Sequence, residues 1–295
     1  MMEIFYIILE QVCVHIPFVL GSYISLSLLK APDFSMESAY VFGAFIASRV
    51  LIAGSEMSIM LIAPIVILAS IIGGASVGLI SSILTKKGGL PHLLSAILTF
   101  GLFHGIVQAI SSTYISLGSA ANPLLAVPSL TRHPELGMLV IIACIVSAAV
   151  FCLFRTQLGY AWAIYGNNSS FFAHYGISST YVFMTGIITG NALAGFSGYL
   201  FAQSSGFAEI TMGSGKLLLA ITVIILGKVF CLKQKPFSIM IPLIGVCVYF
   251  ILQQTLLKIG INLKYFTALQ ACIVIALLLM HRRGAAAHKI DHLGI

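Results

Sequence analysis

The sequence predicts an all-α, polytopic membrane protein of about nine helical spans. Three observations carry that prediction. Of the 295 residues, 59% are hydrophobic and only 8% are Asp, Glu, Lys or Arg, where a soluble domain has roughly 45–50% and 25%. The apolar residues gather in blocks of about 17–25, the length that crosses roughly 30 Å of hydrocarbon. Polar and turn-forming residues punctuate those blocks. A soluble globule with so few charges could not cover its surface, so a water-soluble enzyme, a nucleic-acid binder and a disordered chain are excluded together. The formal charge of +7 does not bring nucleic acid back as a partner, because the 15 basic residues form no stripe that would track phosphates.

The spans read, in order, Gln11–Leu29, Met36–Ala53, Ser58–Leu84, Pro91–Ser112, Leu136–Leu153, Tyr181–Gln203, Leu217–Val229, Phe237–Leu257 and Tyr265–Met280. The second is short and carries Glu37 and Arg49, which makes it a candidate for a broken or re-entrant helix lining a cavity. The N-terminus holds Glu3 and Glu10 ahead of any Lys or Arg, unlike the basic start of a signal peptide, so the first block is expected to stay in the mature chain. Residues 1–281 form one transmembrane domain, followed by a short tail over residues 282–295.

Orientation follows from the basic residues. One set of connections holds Lys30, Lys86, Lys87, Arg155, Lys228, Lys233, Lys235, Arg282, Arg283 and Lys289; the other holds Arg49, Arg132, Lys216, Lys258 and Lys264. The richer side is expected to be cytoplasmic, which places the N-terminus outside and the C-terminus inside. On the outer side the connection around Thr113–Glu135, rich in Ser, Pro and Asn, is expected to bear a short surface helix. On the inner side Phe154–Thr180 is too polar to cross and too apolar to float free. A short amphipathic helix pressed on the membrane face, or docked into a partner, accounts for both properties.

Most local motifs have bland explanations. Gly213-Ser214-Gly215-Lys216 resembles the end of a phosphate loop, but Ile210 and Leu217 stand where that loop needs Gly and Ser or Thr. The chain therefore holds no nucleotide site of its own. The six cysteines lack metal-type spacing and read as buried free thiols. His288 and His292 read as a solvated tail, whereas packing and pore-lining roles stay equally open for His15, His92 and His104. The spans lack the deep carboxylates that proton-coupled carriers use as relays. Glycines and alanines along Gly186–Gly198 favour close helix packing. Asn191 and Gln203, amides within one span, need a partner across a helix interface or in a wet pathway. Polar groups at membrane depth nominate Asp33, Ser35, Glu37, Thr99, Asn191 and Gln203 as pathway residues.

Several of these stretches resemble the permease subunits of ABC importers related to the branched-chain amino-acid and ribose systems. They are Leu9-Glu10-Gln11, Lys30–Ser38 with Gly43-Ala44, Leu94–Thr99, and Arg155–Gly159 with Gly166-Asn167-Asn168 and Gly176-Ile177. Asn191-Ala192-Leu193, Ser197-Gly198, Ala202-Gln203, Gly206–Glu209 and Met212-Gly213 continue the pattern. The nearest branch looks like the tryptophan/tyrosine-type permeases, and the resemblance covers most of Leu9–Phe230. Two departures stand out. Asn167 followed by Ser169-Ser170-Phe171-Phe172 occupies a region that is commonly charged, and Gly227-Lys228 replaces Gly-Glu. Both touch the surface where an ATPase would dock.

The resemblance implies a permease in the bacterial inner membrane for a small organic solute, with aromatic and other amino acids as candidates. It also implies a cytoplasmic ABC ATPase dimer that binds the ATP, an extracytoplasmic substrate-binding protein and a second permease copy. No cofactor in this chain and no catalysis are expected. Residues 155–177 become the coupling segment, with Arg155, Gln157, Gly159, Gly166, Asn167, Asn168, Ala173 and Gly176 as its contact residues. The rival reading is an ion-coupled secondary carrier acting without an ATPase. A membrane-embedded enzyme is a third, for which the sequence offers no acid, base or metal cluster.

Overall fold

The computed structural model describes residues 2–111, 113–117, 134–231 and 238–260, with residues 268, 270–272 and 275. The described helices are α1 (Met2–Tyr23), α2 (Ser35–Ala53), α3 (Ile59–Lys86), α4 (His92–Ile110), α5 (Pro134–Phe154), α6 (Gln157–Asn167), α7 (Phe171–His174), α8 (Ser179–Ser205), α9 (Lys216–Phe230) and α10 (Met240–Lys258). A π-turn, Ile24–Leu28, prolongs α1, and a 3₁₀ turn, Ile210–Gly213, precedes α9. Two short strands, β1 (Tyr114–Ser116) and β2 (Phe207–Glu209), pair antiparallel with Ile115 opposite Ala208.

Seven of these segments are long and apolar enough to cross a membrane: Glu3–Leu28, Ser35–Ala53, Met60–Lys86, His92–Ile110, Leu136–Phe154, Ile210–Phe230 and Met240–Lys258. They match seven of the nine predicted spans. The sixth predicted span is α8, which is long enough but diluted by Thr, Ser, Asn, Gln and Gly. Its position explains that composition. Fifteen of its 27 residues are buried, and α1, α2 and α3 wrap it, so it needs little lipid-compatible surface. The predicted span Tyr265–Met280 falls largely, and the tail 282–295 wholly, outside the described residues.

Glycine pairs bring these helices together. A Cβ on Gly43 would overlap the Gly195 backbone, one on Gly198 would collide with the Tyr40 carbonyl oxygen, and one on Gly74 would strike the Asn191 carbonyl. In hydrocarbon no hydrophobic effect draws helices together, so backbone approach of this kind supplies the packing energy. Ser and Thr within the spans satisfy themselves by bonding back to carbonyls three or four residues earlier, as Ser70 does to Ile67, Ser82 to Leu79 and Thr222 to Leu218.

The expected break in the second span is displaced. α2 runs unbroken for 19 residues, and the irregularity lies ahead of it. The Leu29 N–H bonds to the Ile24 carbonyl, the Ala31 N–H to the Ser25 carbonyl, and Lys30 takes a left-handed φ of 52°. These wide closures, spanning five and six residues, end α1 and turn the chain towards α2. The expected surface helix around Thr113–Glu135 is not what opens that connection; strand β1 does, and residues 118–133 lie outside the described ones. Because β1 pairs with β2, the segments leaving α4 and α8 meet on one face of the bundle. The cysteines are free, but only Cys13 and Cys231 are buried, whereas Cys144, Cys152, Cys247 and Cys272 are exposed.

Candidate translocation core and coupling segment

Three polar groupings stand out, two of them along α8. In the first, Asp33 sits just ahead of α2, where a carboxylate complements the free N–H groups of a helix start. One of its oxygens accepts from the Ser35 N–H at 3.0 Å and from the Ser35 hydroxyl at 2.6 Å. The other accepts from Asn191 Nδ2 at 2.7 Å, and that amide also donates to the Ile187 carbonyl at 2.9 Å. The Ser35 hydroxyl lies 3.3 Å from Asn191 Oδ1. All three side chains are fully buried. The result is a closed knot that pins the start of α2 to the middle of α8. Thr99, also buried, bonds to the Ser95 carbonyl of its own helix at 2.8 Å.

The second grouping lies towards the other end of α8. Glu37 Oε1 accepts the Leu217 N–H at 3.0 Å and so caps the start of α9 from α2. Lys216, the first residue of α9, reaches His15 Nε2 at 2.7 Å while His15 Nδ1 pairs with the Gln11 carbonyl at 2.8 Å. The Lys216 ammonium also stands 4.7 Å from the Phe201 ring centroid and 5.1 Å from that of Tyr40. Because Lys216 can only donate, His15 accepts through Nε2 and carries its proton on Nδ1. Nearby on α8, Gln203 is 2% exposed and, among the described residues, both of its amide atoms lack a hydrogen-bond partner, as does the hydroxyl of Tyr199 one turn earlier. The Tyr40 hydroxyl shares that condition. Buried polar groups left unbonded are costly, about 1–3 kcal/mol each by mutational measures.

A cavity of about 50 Å³ opens between α2, α4 and the 3₁₀ turn, with Ser38, Phe103, His104 and Thr211 among its walls. Waters occupy about 30 Å³ each in the liquid, so this space admits a water or two and no amino acid.

The third grouping is the segment after α5. Trp162 of α6 is fully buried and donates from Nε1 to Thr185 Oγ1 at 3.2 Å. Gly166 lies so close to the π-turn that a Cβ there would collide with the Leu28 carbonyl oxygen, and a Cβ on Gly159 would overlap the Phe154 backbone less severely. Lys30 donates to Asn167 Oδ1 at 2.7 Å, and Lys86 to the Tyr165 hydroxyl at 2.7 Å with its ammonium over the Phe183 ring. Asn168 accepts from the Ser170 N–H and hydroxyl, shaping the turn into α7. Gly176, at φ 67°, closes α7. Phe172 is the buried anchor of α7, while Phe171, Tyr175 and Ile177 are exposed. Gln157, Asn167 and Asn168 are exposed as well; the Ala173 side chain lies outside the described residues. Arg155 is exposed too, but its guanidinium stacks on Phe151 one turn back along α5, 4.6 Å from the ring centroid.

The predicted pathway residues are thus placed in different company. Asp33, Ser35 and Asn191 come together as one knot, Glu37 joins the α9 cap, Thr99 stays on its own helix, and Gln203 stands unbonded. Sequence inspection did not single out Trp162, Tyr199 or the Lys216–His15 pair as site residues. A lone Trp in a short connecting stretch was the available signal for the first. The pair could not have been found from spacing, since 201 residues separate its members.

The family model described as "Branched-chain amino acid transport system / permease component" matches residues 5–278. The chain is 31% identical over 271 residues to an uncharacterized protein of Rickettsia prowazekii (strain Madrid E), covering 88% of this chain and 91% of that one. It is 32% identical over 212 residues to the tyrosine transport system permease protein of Clostridioides difficile (strain R20291), covering 70% and 67%. No solved structure matches.

Proposed function

From the premise that the chain belongs to the branched-chain amino-acid permease family, a multi-pass membrane permease component of an ABC-type transport system and in bacteria an inner-membrane protein, we propose that it imports a small organic solute. An aromatic amino acid is the first candidate, because one relative is named for tyrosine. The work comes from a separate ATPase dimer that binds the ATP; an extracytoplasmic binding protein delivers the solute, and a second copy of this chain completes the membrane part. The N-terminus faces outward and residues 155–177 face the cytoplasm, following the excess of Lys and Arg on that side.

The observation that carries the proposal is the manner in which α6 is held. Its inner face is fixed by Trp162 and Gly166 against α8 and the π-turn, while Tyr160, Phe171, Tyr175 and Ile177 face outward. A push on that outer face is delivered to the end of α1 and to α8 with little slack. Residues Gln157, Asn167, Asn168 and Gly176 lie at the edge of this surface, Gly159 and Gly166 on its docked side. Motion of α8 against α1 and α2 then opens the end of the helix that holds Tyr199 and Gln203, whose unbonded groups become available to solute. Solute is released because its affinity differs between the two states. Among the earlier pathway residues, Gln203 is retained as a contact and Asp33, Ser35 and Asn191 as the hinge that α2 keeps while α8 moves.

Reconstitution tests this. Proteoliposomes holding the permease, its ATPase and its binding protein are expected to take up labelled tyrosine or a related amino acid only when ATP is supplied. Uptake by the permease alone under a sodium gradient would instead establish the ion-coupled carrier.

A further inference from the structure

Beside the segment just described, a groove of about 420 Å³ opens where α5 ends and α6 and α10 begin. Phe151, Phe154, Ile239 and Met240 give it apolar walls, and Arg155, Tyr160 and Ser238 line its polar part. Its volume falls within the range of small-molecule sites, about 300–1,000 Å³. It lies at the end of a 19-residue membrane-crossing stretch, Leu136–Phe154, which puts it at the boundary between hydrocarbon and water.

The attitude of Arg155 decides what the groove suits. Its guanidinium does not project away from the membrane towards a soluble partner. It turns back and stacks on Phe151, a residue 43% exposed on the outer surface of the span. The cation is thereby held against the apolar surface at the end of the span, with exposed Tyr160 and Met240 beside it. Among the described residues no carboxylate forms a hydrogen bond or ion pair with Arg155. A planar guanidinium is suited to paired bonds with phosphate oxygens, and basic pockets between spans are a recurrent setting for anionic headgroups.

We infer that this groove binds the phosphate headgroup of an anionic phospholipid, with Arg155 on the phosphate and the Phe151–Met240 wall along the first part of an acyl chain. The site borders the proposed ATPase docking face at Tyr160 and does not depend on the identity of the solute. It withdraws Arg155 from the proposed coupling surface and gives it to the membrane.

Native mass spectrometry of the detergent-purified permease, titrated with phosphatidylglycerol or phosphatidylcholine, tests the site. The wild type is expected to retain phosphatidylglycerol the more strongly, and Arg155→Gln to weaken that retention about fivefold, the effect of one basic side chain near an anionic surface. Met240→Glu, which adds a negative charge to the groove and leaves Arg155 in place, is expected to weaken it in the same direction. Inorganic phosphate is not expected to displace the lipid; displacement at millimolar phosphate would overturn the lipid assignment in favour of a free-anion site. Equal lipid retention by wild type and both variants would overturn the inference, as would loss of ATPase association in Arg155→Gln with lipid retention unchanged.

Discussion

Two positions on α8, separated by 12 residues and so by about 18 Å along the helix, carry amides of opposite circumstance. Asn191 donates to Asp33 and to the Ile187 carbonyl, and its oxygen faces the Ser35 hydroxyl at 3.3 Å. Gln203, buried to a similar degree, has neither engaged among the described residues. Both are polar residues deep in an apolar bundle, and composition alone treats them alike. The difference teaches that polarity at membrane depth has two uses. A saturated cluster fixes one helix to another, and an unsaturated group stores a cost that a second conformation or a bound solute relieves.

The largest expected effect removes the packing that both positions share. Gly198→Val forces a side chain into the Tyr40 carbonyl and is expected to destabilise the bundle by about 4 kcal/mol or more. The check is monodisperse yield by size-exclusion chromatography, which should collapse. Next, Asn191→Leu strips the Asp33 carboxylate of its cross-helix donor and should cost about 3 kcal/mol, seen as a lower melting temperature in detergent. A Leu that melted like wild type would erase the distinction drawn here.

Gly166→Ala addresses the docked segment. The added methyl meets the Leu28 carbonyl, so about 2 kcal/mol of strain is expected, released by α6 lifting from the π-turn. ATP hydrolysis should then proceed with less uptake per ATP, and an unchanged ratio would remove α6 from the transmission path. The smallest stability effect has the opposite sign. Gln203→Leu replaces an unbonded buried amide by an apolar group of similar size and should raise stability by about 1 kcal/mol while lowering uptake. Should it melt earlier than wild type, the amide has a partner in the working protein and the contrast between the two ends of α8 fails.

Much of this architecture was legible beforehand. Seven spans could be read because each is a nearly continuous apolar block, and α8 was read as a span in the same way between its polar flanks, with its Gly and Ala residues along Gly186–Gly198 pointing to close packing. The displaced break was not legible. Glu37 and Arg49 suggested a disturbed α2, yet Glu37 caps α9 and Arg49 bonds to the Ile110 carbonyl, so each charge is discharged at a helix end without breaking its own helix. The π-turn at Ile24–Leu28 has no such marker, since Ile-Ser-Leu-Ser-Leu reads as ordinary helix. For the site, sequence located the polar residues but not their partners. Asp33 and Asn191 stand 158 positions apart, and only the fold joins them. The exposed aromatic face of α7 beside its buried Phe172 was foreshadowed by the run Phe171-Phe172 ahead of Tyr175.

The account stands or falls on which compartment α6 and α7 face. In a background freed of the six native cysteines, Tyr175→Cys should react with a membrane-impermeant maleimide in inside-out vesicles, and binding of the ATPase should protect it. Labelling of Tyr175→Cys from the outside of intact cells would contradict both the orientation and the coupling role.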